Sequence, residues 1–154
     1  MTLRENFNQA LKDAMRARNQ KRVSTLRLVL AALKDRDIAN RSEVSREGIG
    51  DDEILSLLAK MIKQREESAA AFDAGGRPEL AASEREEIVI IQEFQPLQMG
   101  ESDVRSAVAT AITEMDASSP KDMGKVMALL KARYAGRMDF ARAAVVVKGL
   151  LAEK

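Results

Sequence analysis

The 154-residue chain contains no cysteine, no histidine and no tryptophan. Without cysteine no disulfide framework can form and no thiolate can serve as a nucleophile. The usual zinc sites draw on cysteine and histidine, so they are excluded as well. Aromatics are scarce, at four Phe and one Tyr, and so are proline and glycine, at three and eight. That scarcity points to helices rather than strands. No apolar run approaches the roughly 18 residues of a membrane span. The first twenty residues carry acids and no continuous apolar core, unlike a secretory signal. These absences predict a soluble, cytoplasmic protein with no cofactor, no metal site and no membrane contact.

Apolar residues, mostly Ala, Leu, Val, Ile and Met, make up 45% of the chain, and charged residues 32%. The length suits one domain or two small ones. The net charge of +1 hides an uneven distribution. Residues 1–37 hold nine basic and four acidic side chains, residues 43–93 six and thirteen, and residues 121–148 seven and two. Two basic ends therefore flank an acidic middle. Such asymmetry either draws a polyanion to one surface or docks the ends on the middle.

Apolar periodicity marks the elements. Leu3, Phe7, Ala10, Leu11, Ala14 and Met15 define a first helix to about Ala17, broken at Asn19-Gln20. A second carries Val23, Leu26, Leu30 and Leu33 and fades near Asn40. Residues 40–50 are polar, end in Gly48-Ile49-Gly50 and read as a loop. Asp51 or Asp52 is expected to cap a third helix, with Ile54, Leu58, Met61, Ile62, Ala69 and Phe72 inward. Gly75-Gly76 stops it, and Pro78 opens a fourth helix carrying Leu80, Ala81, Ile88, Ile91 and Phe94. Pro96 and Gly100 mark a domain boundary. A fifth helix spans Glu101 to Met115, a sixth starts near Pro120 and a seventh near Asp139. The predicted fold is all-α: an N-terminal four-helix unit, residues 1–95, followed by a C-terminal three-helix tail domain, residues 96–154. A tail this small is marginal as an independent fold.

The stretch from Lys121 to Ala144 holds the candidate site. On a helical wheel Met123, Val126, Met127, Leu130 and Tyr134 share one face. Lys121 and Lys125 lie nearly opposite, and Lys131 and Arg133 flank the apolar stripe. Gly124 leaves room for a neighbouring backbone. Gly136 can take the left-handed conformation that ends a helix, and Asp139 can cap the next. Arg137 and Arg142 sit around that second helix start. Basic groups about a tight turn suit phosphates, and backbone N–H groups at helix starts near Lys121 and Phe140 add to this. The candidate nucleic-acid contacts are therefore Lys121, Lys125, Lys131, Arg133, Arg137 and Arg142. Arg16, Arg18, Lys21 and Arg22 are candidates to extend the basic surface. The plain alternative is a solvated helix face. Sequence-specific DNA reading is not expected, because the helix after Asp139 has no Asn or Gln and only Arg142 early enough to reach a base.

No catalytic residue is assigned. A serine with a lysine base would need a Gly/Ser-rich loop, and Ser118 and Ser119 read instead as helix-capping residues before Pro120. No phosphate-binding GxxxxGK[ST] loop occurs. The carboxylates at Asp51, Asp52 and Glu53, and at Glu84, Glu86 and Glu87, read as solvated helix starts and faces. Arg65, Glu66 and Glu67 read as surface charge pairs.

Three segments together carry a family resemblance: "LKDAMRARNQKRVSTLRLVLAALK" (11–34), "MIKQREESAAAFDAGGRPELAASEREEI" (61–88) and "KDMGKVMALLKARYAGRMDFARAAVVVKGLL" (121–151). On these the chain resembles the GatB/YqeY family over essentially its whole length. The resemblance implies two helical units, the second similar to the tail domain of the B subunit of glutamine-dependent aminoacyl-tRNA amidotransferases. There the tail contacts tRNA while transamidation occurs in other domains. It thus implies a non-catalytic, tRNA-binding accessory protein whose partners are tRNA and an amidotransferase or another translation protein. The alternatives are a protein–protein adaptor, or a component of a carbon–nitrogen ligase complex using glutamine as amido-N-donor. Gln95 stands where the family pattern has Leu before Pro, and Met138 and Phe140 replace smaller residues beside Asp139. The larger pair is expected to alter the approach of a ligand to the turn.

Overall fold

A computed structural model describes residues 2–41 and 48–153. Among these residues there are seven α-helices, one short 3-10 turn and no strand. The all-helical expectation holds. The chain divides into two compact units, Met1–Gln95 and Pro96–Lys154.

The first unit contains α1 (Leu3–Arg16), α2 (Gln20–Ala39), α3 (Asp51–Ala74) and α4 (Pro78–Gln92). Thr2 and Glu5 start α1 reciprocally: the Thr2 hydroxyl accepts from the Glu5 N–H, and the Glu5 carboxylate accepts from the Thr2 N–H. Arg18 at φ 55° turns the chain, and Asn19 caps α2 by accepting from the Arg22 N–H at 3.1 Å. Gly76, at φ 71°, makes the reversal between α3 and α4, the most extensively packed pair among the described residues. Phe7, Leu26, Ile54, Leu58 and Ile91 are fully buried at the centre of this unit. Phe94 closes one end, its ring 4.5 Å from that of Phe7.

Two expectations are corrected here. The N-cap of α3 is Gly50, not Asp51 or Asp52; these two and Glu53 occupy the first turn, where they favour the positive end of the helix dipole. The segment expected as a polar loop is also more than a connection. Residues 42–47 lie outside the described residues, but Ile49 is buried in the core. Its N–H donates to Asp37 at 2.9 Å, and its carbonyl accepts from Arg4 at 2.9 Å. Arg4 and Asp37 are themselves joined by two parallel hydrogen bonds, so one fork ties α1, α2 and the entry to α3 together. A side chain on Gly48 would collide with this fork.

The second unit contains α5 (Glu101–Glu114), the 3-10 turn Pro120–Asp122, α6 (Met123–Arg133) and α7 (Phe140–Ala152). Val108, Val126, Leu130, Ala143, Val147 and Leu151 form its buried centre. The sixth helix thus begins at Met123, three residues later than Pro120, because the proline starts a tighter turn first. Gly136 sits at φ 74°, as the turn requires. Met138 is buried in this core rather than facing the turn's surface. Its extra volume fills the core.

Candidate nucleic-acid interface

All six candidate residues are exposed on the second unit, but they are not equivalent. Lys125 reaches Asp122 at 3.4 Å, one turn back along the chain. Arg142 lies 3.8 Å from Asp139. Arg133 pairs with Glu114 at the end of α5. Lys121 and Lys131 form no ion pair among the described residues. Arg137 does structural work: its Nε donates to the Leu97 carbonyl at 3.3 Å, and its own carbonyl accepts from the Met99 N–H at 2.9 Å. Gln98 adds a bond to the Gly136 carbonyl. Residues 97–99 thus strap the glycine turn, and Arg137 keeps further N–H donors for another partner.

Each of the two helix starts already has a carboxylate accepting from nearby backbone N–H groups. Asp139 accepts from the N–H groups of Ala141 and Arg142 at 3.0 and 3.3 Å. Asp122 accepts from those of Ser118 and Ser119 at 2.9 and 3.3 Å. The Ser118 N–H bond is the chief reason the Asp122 carboxyl titrates below its ordinary value, with burial opposing it. An incoming phosphate at either helix start would meet one of these carboxylates. Gly124 also differs from expectation: a Cβ there meets nothing within 4 Å, so no backbone packs against it. Beside Arg137, a polar cleft of about 410 Å³ is lined by Asp103, Ser106, Thr110 and Tyr134.

The expected extension of the basic surface into the first unit is only partly available. Lys21 donates to Ser83 and lies 3.5 Å from Glu87. Arg22 pairs with Glu93 at 2.6 Å and lies over the Phe94 ring, 5.9 Å from its centroid. Arg16 and Arg18 are exposed. Glu87, expected to be a solvated carboxylate, is mostly buried and accepts from Arg65 at 2.9 Å. Arg65 is likewise no surface charge: its side chain is 14% exposed, and its Nη1 also donates to the Met61 carbonyl. No signal in the local sequence points to that partnership, because the two residues lie 22 positions apart on different helices.

A model of the Yqey-like protein family matches residues 4–151. The chain belongs to the Yqey-like family. Its curated relatives include proteins named "Altered inheritance of mitochondria protein 41, mitochondrial". The one from Kluyveromyces lactis is 31% identical over 117 residues, 74% of this chain and 60% of that protein. The one from Pyrenophora tritici-repentis is 28% identical over 128 residues, 80% of this chain and 68% of that protein. The one from Lachancea thermotolerans is 28% identical over 117 residues, 75% of this chain and 60% of that protein. The chain therefore spans less than two thirds of the Kluyveromyces and Lachancea relatives.

These names overturn the cytoplasmic expectation. That expectation rested on missing cysteines and missing membrane spans, and no described helix is long and apolar enough to cross a membrane. Such features suit any aqueous compartment. An address is read by a receptor from a short signal and leaves no mark on the composition of a helical fold.

Proposed function

We propose that this Yqey-like protein is a non-catalytic, tRNA-binding accessory protein whose C-terminal three-helix tail domain, residues 96–154, grips RNA phosphates. The observation that carries the reading is the exposed charge of residues 121–148, with seven basic side chains against two acidic ones. Both of those acids are spent on local backbone N–H groups. Lys121 and Lys131 supply the most available charges, and Arg137 adds donors at the strapped turn. Lys125, Arg133 and Arg142, themselves exposed, contribute by exchanging a paired carboxylate for a phosphate. Such pairs are worth little in water, so the exchange costs little. The family likeness to the tail of the amidotransferase B subunit supports tRNA as the RNA.

The test is fluorescence anisotropy of labelled tRNA with the full chain, at low and moderate salt, with duplex DNA of matched length as control. Selective tRNA binding that weakens steeply with salt is expected. Lys121→Glu/Lys131→Glu should weaken it at least tenfold and reduce the salt slope, with unchanged circular dichroism. Absence of tRNA binding at low salt by the folded wild type would falsify the reading. A protein-only adaptor would instead bind an amidotransferase with modest salt dependence.

A further inference from the structure

The first unit exposes an apolar groove along α2. Leu26, Val29 and Leu33 of this helix are buried in the core, yet Leu28, on another side, is 49% exposed. Met15, at the end of α1, is 50% exposed. These two side chains, with Val23, floor an open groove of about 1040 Å³ whose rim holds Arg18, Lys21 and Arg27. A second concavity of about 390 Å³ shares Leu28 and continues along α2 past Ala32 to Arg36, with Lys60 of α3 on its other side. Ser24, Leu28, Ala32 and Arg36 recur every fourth residue, so they lie along one face of α2. From Gln20 to Arg36 that face runs about 24 Å at 1.5 Å per residue.

We propose that this groove docks an acidic amphipathic helix of a partner protein. Its length accommodates about four helical turns. Its floor offers Met15, Val23 and Leu28 to apolar anchors at i, i+3, i+4 and i+7, and Met adapts readily to different partners. Its rim is predominantly basic, with Asp35 the acid among the lining residues. Glutamates flanking the apolar face of the incoming helix complement Arg18, Arg27 and Lys60, none of which forms an ion pair among the described residues. RNA fits the floor poorly. No aromatic side chain lines either concavity, and single-stranded bases are held chiefly by stacking on aromatics. The proposal uses residues of the first unit and stands independently of tRNA binding by the second.

The probe is a fluorescein-labelled peptide of about 18 residues, long enough to span the groove. It carries leucines at i, i+3, i+4 and i+7 and glutamates on their flanks. The controls are the same peptide with lysine for glutamate, and one with the leucines replaced by alanine. Full-length protein is titrated by anisotropy, and amide shifts are mapped by NMR. The acidic peptide should bind saturably and shift Ser24, Leu28 and Ala32, with both controls at least tenfold weaker. Leu28→Glu should weaken binding at least tenfold, and Arg18→Glu/Arg27→Glu severalfold. Val89→Glu, on the exposed side of α4, should leave binding unchanged. Equal binding of the lysine peptide, absence of saturable binding, or shifts confined to other elements overturns the proposal. So does tRNA shifting the same α2 amides, which assigns the groove to RNA. Self-association of the free protein that Leu28→Glu abolishes, seen by sedimentation, assigns it to a second copy and also overturns it.

Discussion

The two units handle charge in opposite ways. In the first, basic residues from α2 meet acids in α4 or just past its end: Lys21 reaches Glu87, Arg22 reaches Glu93, and Arg65 of α3 joins Glu87. In the second, Lys125 and Arg142 pair with acids three residues away, and Arg133 with Glu114. The N-terminal basic stretch is therefore partly consumed in packing helices, whereas the C-terminal stretch keeps its charge at the surface. One composition yields a structural use of charge and a surface use of it. Partly buried pairs act in a lower dielectric and resist screening, while exposed short-range pairs are screened and exchangeable.

The largest expected effect lies in the core of the smaller unit. Leu130→Ala removes a fully buried side chain and should cost about 2–5 kcal/mol. In a unit this small that loss rivals the whole stability. The only tyrosine, Tyr134, lies in this unit and there is no Trp, so its fluorescence in urea reads the loss directly. A shift of a few tenths of a kcal/mol would remove apolar packing as the source of this unit's stability.

Glu87→Gln comes next. It leaves Arg65 and Lys21 without their shared carboxylate, and with Arg65 only 14% exposed it should cost about 1–3 kcal/mol. The urea midpoint followed by circular dichroism measures it. The matched change in the second unit, Asp122→Asn, concerns a half-buried carboxylate whose cation, Lys125, is exposed, and should cost less. Equal costs would erase the contrast between the units.

A third, smaller effect is one of pH. Arg4 hydrogen-bonds the charged form of Asp37 and holds its carboxyl below the ordinary value of 3.8, against the opposing effect of burial. With the folded pKa below the unfolded one, the pairing stabilises above the unfolded value. The contribution is lost as pH falls through the folded value. Asp37→Asn should therefore lower stability at neutral pH and flatten its acid limb. Stability profiles parallel to the wild type from about pH 6 to pH 2 would show that the fork contributes nothing.

Gly48→Ala should produce the smallest of these losses. A Cβ there would collide with the Arg4 Nη2 and Asp37 Oδ1 atoms, so the fork must open slightly. Its thermal midpoint should fall, and should fall less in an Asp37→Asn background, where the fork is already weakened.

Much of the scaffold was legible locally. Apolar spacing marks the helices, Gly75-Gly76 the end of α3, Gly136 a left-handed turn, and Pro78 and Asp139 helix starts. These are decided within a few residues by backbone sterics and short hydrogen bonds, so a sequence displays them. Ile49 escaped notice because two flanking glycines make its segment read as connection, while one of its hydrogen-bond partners, Arg4, lies 45 residues earlier. Met138 and Gly124 escaped for the same kind of reason, since what a side chain or its absence faces is set by neighbours from other helices.

The candidate site shows the same limit. The sequence by itself determined that basic residues cluster about Gly136 and that no cysteine or histidine chemistry accompanies them. Only tertiary structure decided which charges remain on offer. Arg22 is paired with a residue 71 positions away, whereas Lys121 and Lys131 have no such partner among the described residues. Helical periodicity tells which face a charge occupies. What lies opposite that face is chosen by the packing of whole helices, and that choice separates a basic residue holding the fold from one free to hold a ligand.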